Sequence, residues 1–106
     1  MEGDKKMNFN KLFNFYNQTL FNGVLIEPRI KLYKCKYTLG LFEGYEDENG
    51  FMFMDIYLEK RAEKHSTLLH EMVHLYQFQF NHKVNHKGSF KAWRRRIKKL
   101  TGIDIK

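Results

Sequence analysis

Two histidines four residues apart with a glutamate between them, His70-Glu71-Met72-Val73-His74, constrain this chain more than any other stretch. The pair can act together only if the backbone is helical, because residues four apart then project one above the other. On such a helix both imidazoles close on one ion, and Glu71 sits one step round the same face. Two imidazoles that hold a metal, with a carboxylate that takes the proton from a water, make the pattern of a zinc peptidase. The stretch Thr67 to Phe80 has no Gly and no Pro. Leu69, Met72, Val73 and Tyr76 recur at the helical period, and Leu68 and Leu75 widen the stripe. Ser66 is placed to cap the helix, with an earlier start between Glu59 and Lys64 as the alternative. A lone histidine on a helix is usually structural. Two at this spacing, with the glutamate and the apolar flanks, favour a metal site.

At 106 residues the chain reads as a single domain, residues 1–106, large enough to form a core without disulfides. Its one cysteine, Cys35, reads as a small strand residue, and a single thiol suits a reducing, intracellular (cytoplasmic) compartment. Residues 1 to 6 are charged and read as a frayed end, not as a signal peptide. There is no apolar run of membrane-spanning length, so no membrane partner is expected. The net charge of +7 points to a polyanion.

Along the chain, Phe9, Leu12, Phe13, Tyr16, Leu20 and Phe21 predict a first amphipathic helix stopped by Gly23. Arg29 to Leu41 reads as extended, with Gly40 as a break or bulge. Asn49-Gly50 marks a hairpin turn with an acidic, solvated tip, and Phe51 to Leu58 alternates as its second arm. After the motif helix comes a polar loop with His82 and His86. Ser89 then caps a last helix with Phe90, Trp93, Ile97 and Leu100 as its buried stripe and Gly102 as its end. That helix carries six Lys or Arg between Lys91 and Lys99. DNA contact is expected there through the phosphates, at Lys91, Arg94, Arg95 and Lys98. The expected class is α+β, with three helices and a small sheet of about three strands.

A catalytic zinc usually takes three protein ligands and a water. Phe80 stands where a metzincin would carry its third histidine, which excludes that class. On spacing alone both His82 and His86 remain open as the third ligand.

Several phrases together resemble one family. They are Leu20-Phe21-Asn22-Gly23 at the end of the first helix, Gly40, the strand Phe51 to Leu58, the run from Thr67 to His74, His86 four residues before Phe90, and Leu100-Thr101-Gly102. Over most of its length the chain is similar to the SprT-like zinc metallopeptidases, a group that includes the Spartan protease of DNA–protein crosslink repair. It departs from them in having Lys87 after His86, with Gly88 one later. The resemblance implies a minimal zincin-like domain without the C-terminal zinc ribbon of some relatives. It implies one catalytic Zn²⁺ held by His70, His74 and His86, with Glu71 as general base. It also implies a DNA-associated protein or peptide substrate, laid extended along the edge of the hairpin Tyr37 to Leu58. The rival reading is a zinc-stabilised DNA-binding module without peptidase activity. Glu71 speaks against it, because a structural zinc site has no need of that carboxylate.

Overall fold

The computed structural model describes residues 8–106, so the expected frayed end at residues 1–6 lies outside the described residues. The elements run α1 (Phe9–Leu20), β1 (Arg29–Tyr33), β2 (Gly40–Glu46), β3 (Met52–Glu59), α2 (Lys64–Gln79) and α3 (Ser89–Thr101). This is the small α+β architecture expected from the sequence.

The Asn8 side chain caps α1 by accepting from Lys11 N–H at 3.1 Å. Beyond the helix Gly23 takes a left-handed turn at φ +72°. The Asn17 amide then clamps the Leu25 peptide at 3.0 and 3.1 Å, which sends the chain back along the helix. Phe13, Tyr16, Leu20 and Phe21 bury the apolar face of α1.

The sheet has the order β1-β3-β2, with β1 parallel and β2 antiparallel to the central β3. Alternation along β3 sends Met54, Ile56 and Leu58 into the core and leaves Phe53, Asp55 and Tyr57 on the outer face. The turn before β3 is held by the Asp47 carboxylate, which accepts from Asn49 N–H and Phe51 N–H at 2.8 and 2.9 Å. Among the described residues β2 pairs with β3 alone, which leaves its other edge free.

Helix α2 packs on β2 and β3. Leu68, Leu69, Met72, Val73 and Leu75 are fully buried, so the helix is enclosed on more sides than one apolar stripe implies. Helix α3 packs on α2 through Phe90 and Ile97, and Trp93 stacks on Phe21 with ring centroids 4.3 Å apart. No helix among the described residues is long and apolar enough to cross a membrane.

Six local expectations are corrected. The extended run Arg29 to Leu41 is two elements, because residues 34–39 leave the sheet. Cys35 therefore sits in a connector, where Arg61 donates to its carbonyl at 2.8 Å while pairing with the buried Glu59 at 3.0 Å. Gly40 opens β2 instead of breaking a strand. Helix α2 takes the earlier start, at Lys64, and its cap is Glu63 in place of Ser66: the Glu63 carboxylate accepts from His65 N–H and Ser66 N–H at 3.1 and 2.7 Å, and Ser66 lies inside the first turn. Gly88, at φ +51°, precedes α3, and Ser89 is its first residue. Leu100 is 56% exposed, since the last turn of α3 runs past the core.

Candidate metal centre

His70 and His74 project from one face of α2 with ring centroids 5.0 Å apart. His86 arrives from the loop at 80–88 and closes the third side. Its Nε2 lies 3.1 Å from Nε2 of His70 and 3.2 Å from Nε2 of His74. Nitrogens held tetrahedrally by zinc are about 3.3 Å apart, given a Zn–N bond of roughly 2.05 Å. The ring of Phe90 packs against all three imidazoles, with centroids 4.9, 5.2 and 4.9 Å away, and forms an apolar floor. That contact accounts for the placement of Phe90 four residues after His86.

The remaining ring nitrogens fix the chemistry. His70 Nδ1 lies 2.6 Å from the Ile105 carbonyl oxygen. His74 Nδ1 lies 2.8 Å from Gln77 Oε1. Both partners accept only, so each Nδ1 carries the proton and each Nε2 offers a lone pair. The Gln77 amide orientation is itself determined, because its Nε2 donates to the Asn85 carbonyl at 3.1 Å. Burial pushes the His74 imidazolium down to about 4, against the Gln77 hydrogen bond, and lowers His70 as well. Both rings are therefore neutral near pH 7, which is the ligating form. The lone pairs of His70 and His74, converging with Nε2 of His86, suit a borderline-soft dication, and the donor set fits zinc.

Two supports of this cluster have no counterpart in the sequence reading. Gln77, fully buried, orients His74 and grips the His86 loop through Asn85 N–H at 3.3 Å, the Asn85 carbonyl, and Ser89 Oγ at 3.1 Å. Its one visible signal is a polar side chain interrupting the buried face of α2. The second support is the segment after α3. Arg94 donates to both carboxylate oxygens of Asp104 at 2.6 and 3.0 Å, which folds the chain back and sets the Ile105 carbonyl against His70.

Glu71 is 5% exposed, and burial pushes its carboxyl up to about 8. Strand β2 crosses directly above it. A Cβ at Gly40 would stand 2.7 Å from Glu71 Oε2 and 2.7 Å from Thr67 Cγ2, so this crossing requires glycine. Two recesses meet here. One, of about 440 Å³, reaches Leu39, Asp104 and Ile105; the other, of about 490 Å³, reaches Phe42, Val84 and Asn85. They share Gly40, His70 and Glu71, so the three-histidine cluster and the carboxylate lie midway along one cleft beside β2.

The other expected site residues lie elsewhere. His82 packs edge-on against Tyr76, with centroids 5.5 Å apart, outside the cluster. Lys91, Arg94, Arg95 and Lys98 line a separate basic recess on α3, where Arg94 is already engaged by Asp104. Arg94 thus holds Asp104 well below the usual carboxylate range.

No curated protein matches this chain. The model of the SprT-like family matches residues 9–106, and so covers every element described above. With the family pattern extending from α1 to the segment that buttresses His70, the chain belongs to the SprT-like family.

Proposed function

We propose that the protein is a zinc-dependent metallopeptidase that hydrolyses peptide bonds in DNA-associated or DNA-crosslinked proteins. The observation that carries this reading is the convergence of His70, His74 and His86 Nε2 beside the buried Glu71. His70, His74 and His86 would hold the ion. Bound there, zinc would supply Lewis acidity, bringing the pKa of a water toward about 7 and polarising the scissile carbonyl. Glu71 accepts the proton of the attacking water on its carboxylate, the form that the charge of a bound ion would favour against burial, and returns it to the leaving amine. The free edge of β2 aligns an extended substrate by backbone hydrogen bonds, which is weakly selective for sequence. Compact domains cannot offer such a strand, so unfolded or flexible segments are cut first.

Zinc-loaded protein is expected to cut an unfolded, DNA-bound test protein. A chelator should abolish the cleavage and added zinc should restore it. Persistence of the full rate in chelator, with no zinc left by elemental analysis, would remove the metal from the reading.

Gly40 gives a further test. Gly40→Ala should retain zinc, since the atoms nearest that Cβ belong to Glu71 and Thr67 and not to a ligand, but push the Glu71 carboxylate aside. A misplacement of this kind costs on the order of a hundredfold in kcat/KM. Unchanged cleavage by the variant would mean that Glu71 does not act from the position described.

The basic recess on α3 is the proposed contact with DNA phosphates. Arg94 is tied to Asp104, so Arg95 and Lys98 are the better probes. Charge reversal at both should weaken DNA binding at low salt for all sequences alike and flatten its salt dependence. An unaltered binding isotherm would leave the recess as a solvated basic face.

A further inference from the structure

We infer that the groove at the hairpin end of β2 takes a lysine or arginine side chain of the substrate, so that the protein selects basic peptides. This rests on the peptidase reading above and adds a substrate class to it. The groove encloses about 520 Å³ between Phe42, Tyr45, Phe53 and Phe78, with Glu43 and Asp55 among its lining. It shares Phe42 and Val84 with the half of the cleft that holds His74 and His86, so it continues the path of an extended substrate. Its floor stays open because position 44 is glycine: a Cβ there would meet the Phe42 ring at 2.9 Å and the Phe78 ring at 3.0 Å.

The walls suit a long cationic side chain. Tyr45 and Phe53 stack with centroids 5.0 Å apart while remaining 62% and 44% exposed, which leaves aromatic surface for an aliphatic stem or a cation. Glu43 and Asp55 stand opposite each other on the outer face of the β2–β3 ladder. Arg29 satisfies Asp55 with bonds of 2.7 and 3.0 Å. Among the described residues Glu43 has no ion-pair partner. The surroundings agree in sign. Residues 40–59 carry Glu43, Glu46, Asp47, Glu48, Asp55 and Glu59 without a single Lys or Arg, in a chain of net charge +7. Arg29 offsets one of these charges at Asp55, and the remaining acidic field attracts basic peptides to this end of the cleft and repels nucleic acid from its exposed aromatics.

The register gives the position. Gly40 faces Glu71 on the inner side of β2, and Glu43, three residues further along at roughly 10 Å (about 3.4 Å per residue), faces the outer side with Asp55, as side chains three apart on an extended substrate also alternate. The selected side chain is therefore about three residues from the bond that is cut, on the His86 side.

The test uses unstructured peptides that differ only there, with Lys, Arg, Gln or Glu, and zinc-loaded protein. Cleavage sites and kcat/KM are read by mass spectrometry. Lys and Arg should exceed Glu roughly five- to tenfold at low salt, as expected for partly exposed charge pairs, and the preference should shrink as salt rises. Glu43→Gln should reduce the preference and Glu43→Lys should invert it, with zinc content and melting temperature unchanged. Binding of the same peptides to zinc-loaded Glu71→Gln, followed by fluorescence anisotropy, should show the same order without turnover. Cleavage and binding that ignore the charge at this position, in wild type and Glu43→Lys alike, would overturn the inference and leave the peptidase reading intact. Glu43-dependent binding of Lys peptides without any cleavage would uphold the groove and reject the peptidase. Neither cleavage nor charge-dependent binding would overturn both.

Discussion

Glu71→Gln should keep its zinc, its fold and its DNA affinity while losing peptide cleavage by roughly 10²–10⁴-fold, the span of a lost general acid–base group. The substitution is conservative in shape, which matters because Glu71 fits beneath Gly40 and against Thr67. It is also conservative for the fold. Burial already pushes the carboxyl up to about 8, so a neutral amide replaces a group whose charge the interior disfavours. What the amide lacks is basicity. A carboxylate in this place is superfluous to a structural zinc site, which needs only the three imidazoles and a fourth ligand. The measurement is kcat/KM on unfolded and on DNA-bound substrates, with zinc content and thermal unfolding as controls. Identical behaviour of zinc-loaded wild type and Glu71→Gln on every such substrate would make the site structural, and the protein a zinc-stabilised DNA-binding module.

The parts legible in the sequence are those written in local spacing. The pairing of His70 with His74 follows from 3.6 residues per turn, and the Asn49-Gly50 turn from the conformations those residues allow. His86 is different. Spacing leaves it level with His82, and the family resemblance is what favours it. In the structure Gln77, Asn85 and Ser89 hold its loop in place. Those hydrogen bonds join residues of two elements, and no periodicity announces them. The break at residues 34–39 was hidden for a similar reason. Its sequence alternates like a strand, but Glu59 and Arg61, distant along the chain, draw the backbone out of the sheet. Ser66 and Ser89 both look like caps. Glu63 outreaches the first, and the second accepts from Gln77 at the start of α3. The support of His70 is a backbone carbonyl at Ile105, which carries no residue signature at all. The Asp104 to Arg94 pair that positions it also engages one of the four α3 cations expected to meet DNA.

Removing the metal should have the other large effect. His70→Ala, His74→Ala and His86→Ala are each expected to lose zinc and to melt well below the loaded wild type, whereas His82→Ala should do neither. At free zinc a thousandfold above Kd the ion contributes about 4 kcal/mol to stability, which for a domain of this size corresponds to roughly 15–30 °C in melting temperature. The loss should be uneven across the fold. The contacts of α1, β3 and α2 around Phe13, Ile56, Leu68 and Leu69 do not involve the site, so the metal-free core should persist at lower temperature. The loop at 80–88 has no regular secondary structure, and His86 is exposed. Without the ion its tie to α2 is mainly the Gln77 hydrogen bonds, so protease nicking should concentrate there. Gln77→Leu separates the two ties. It retains all three ligands but removes the acceptor for His74 Nδ1–H and the grip on Asn85, and should weaken zinc binding about 10–100-fold. Elemental analysis and thermal unfolding with and without chelator check the series. Full zinc in His86→Ala together with none in His82→Ala would transfer the third ligand to His82, and the loop would have to reverse its path to bring that ring from Tyr76 to the cluster.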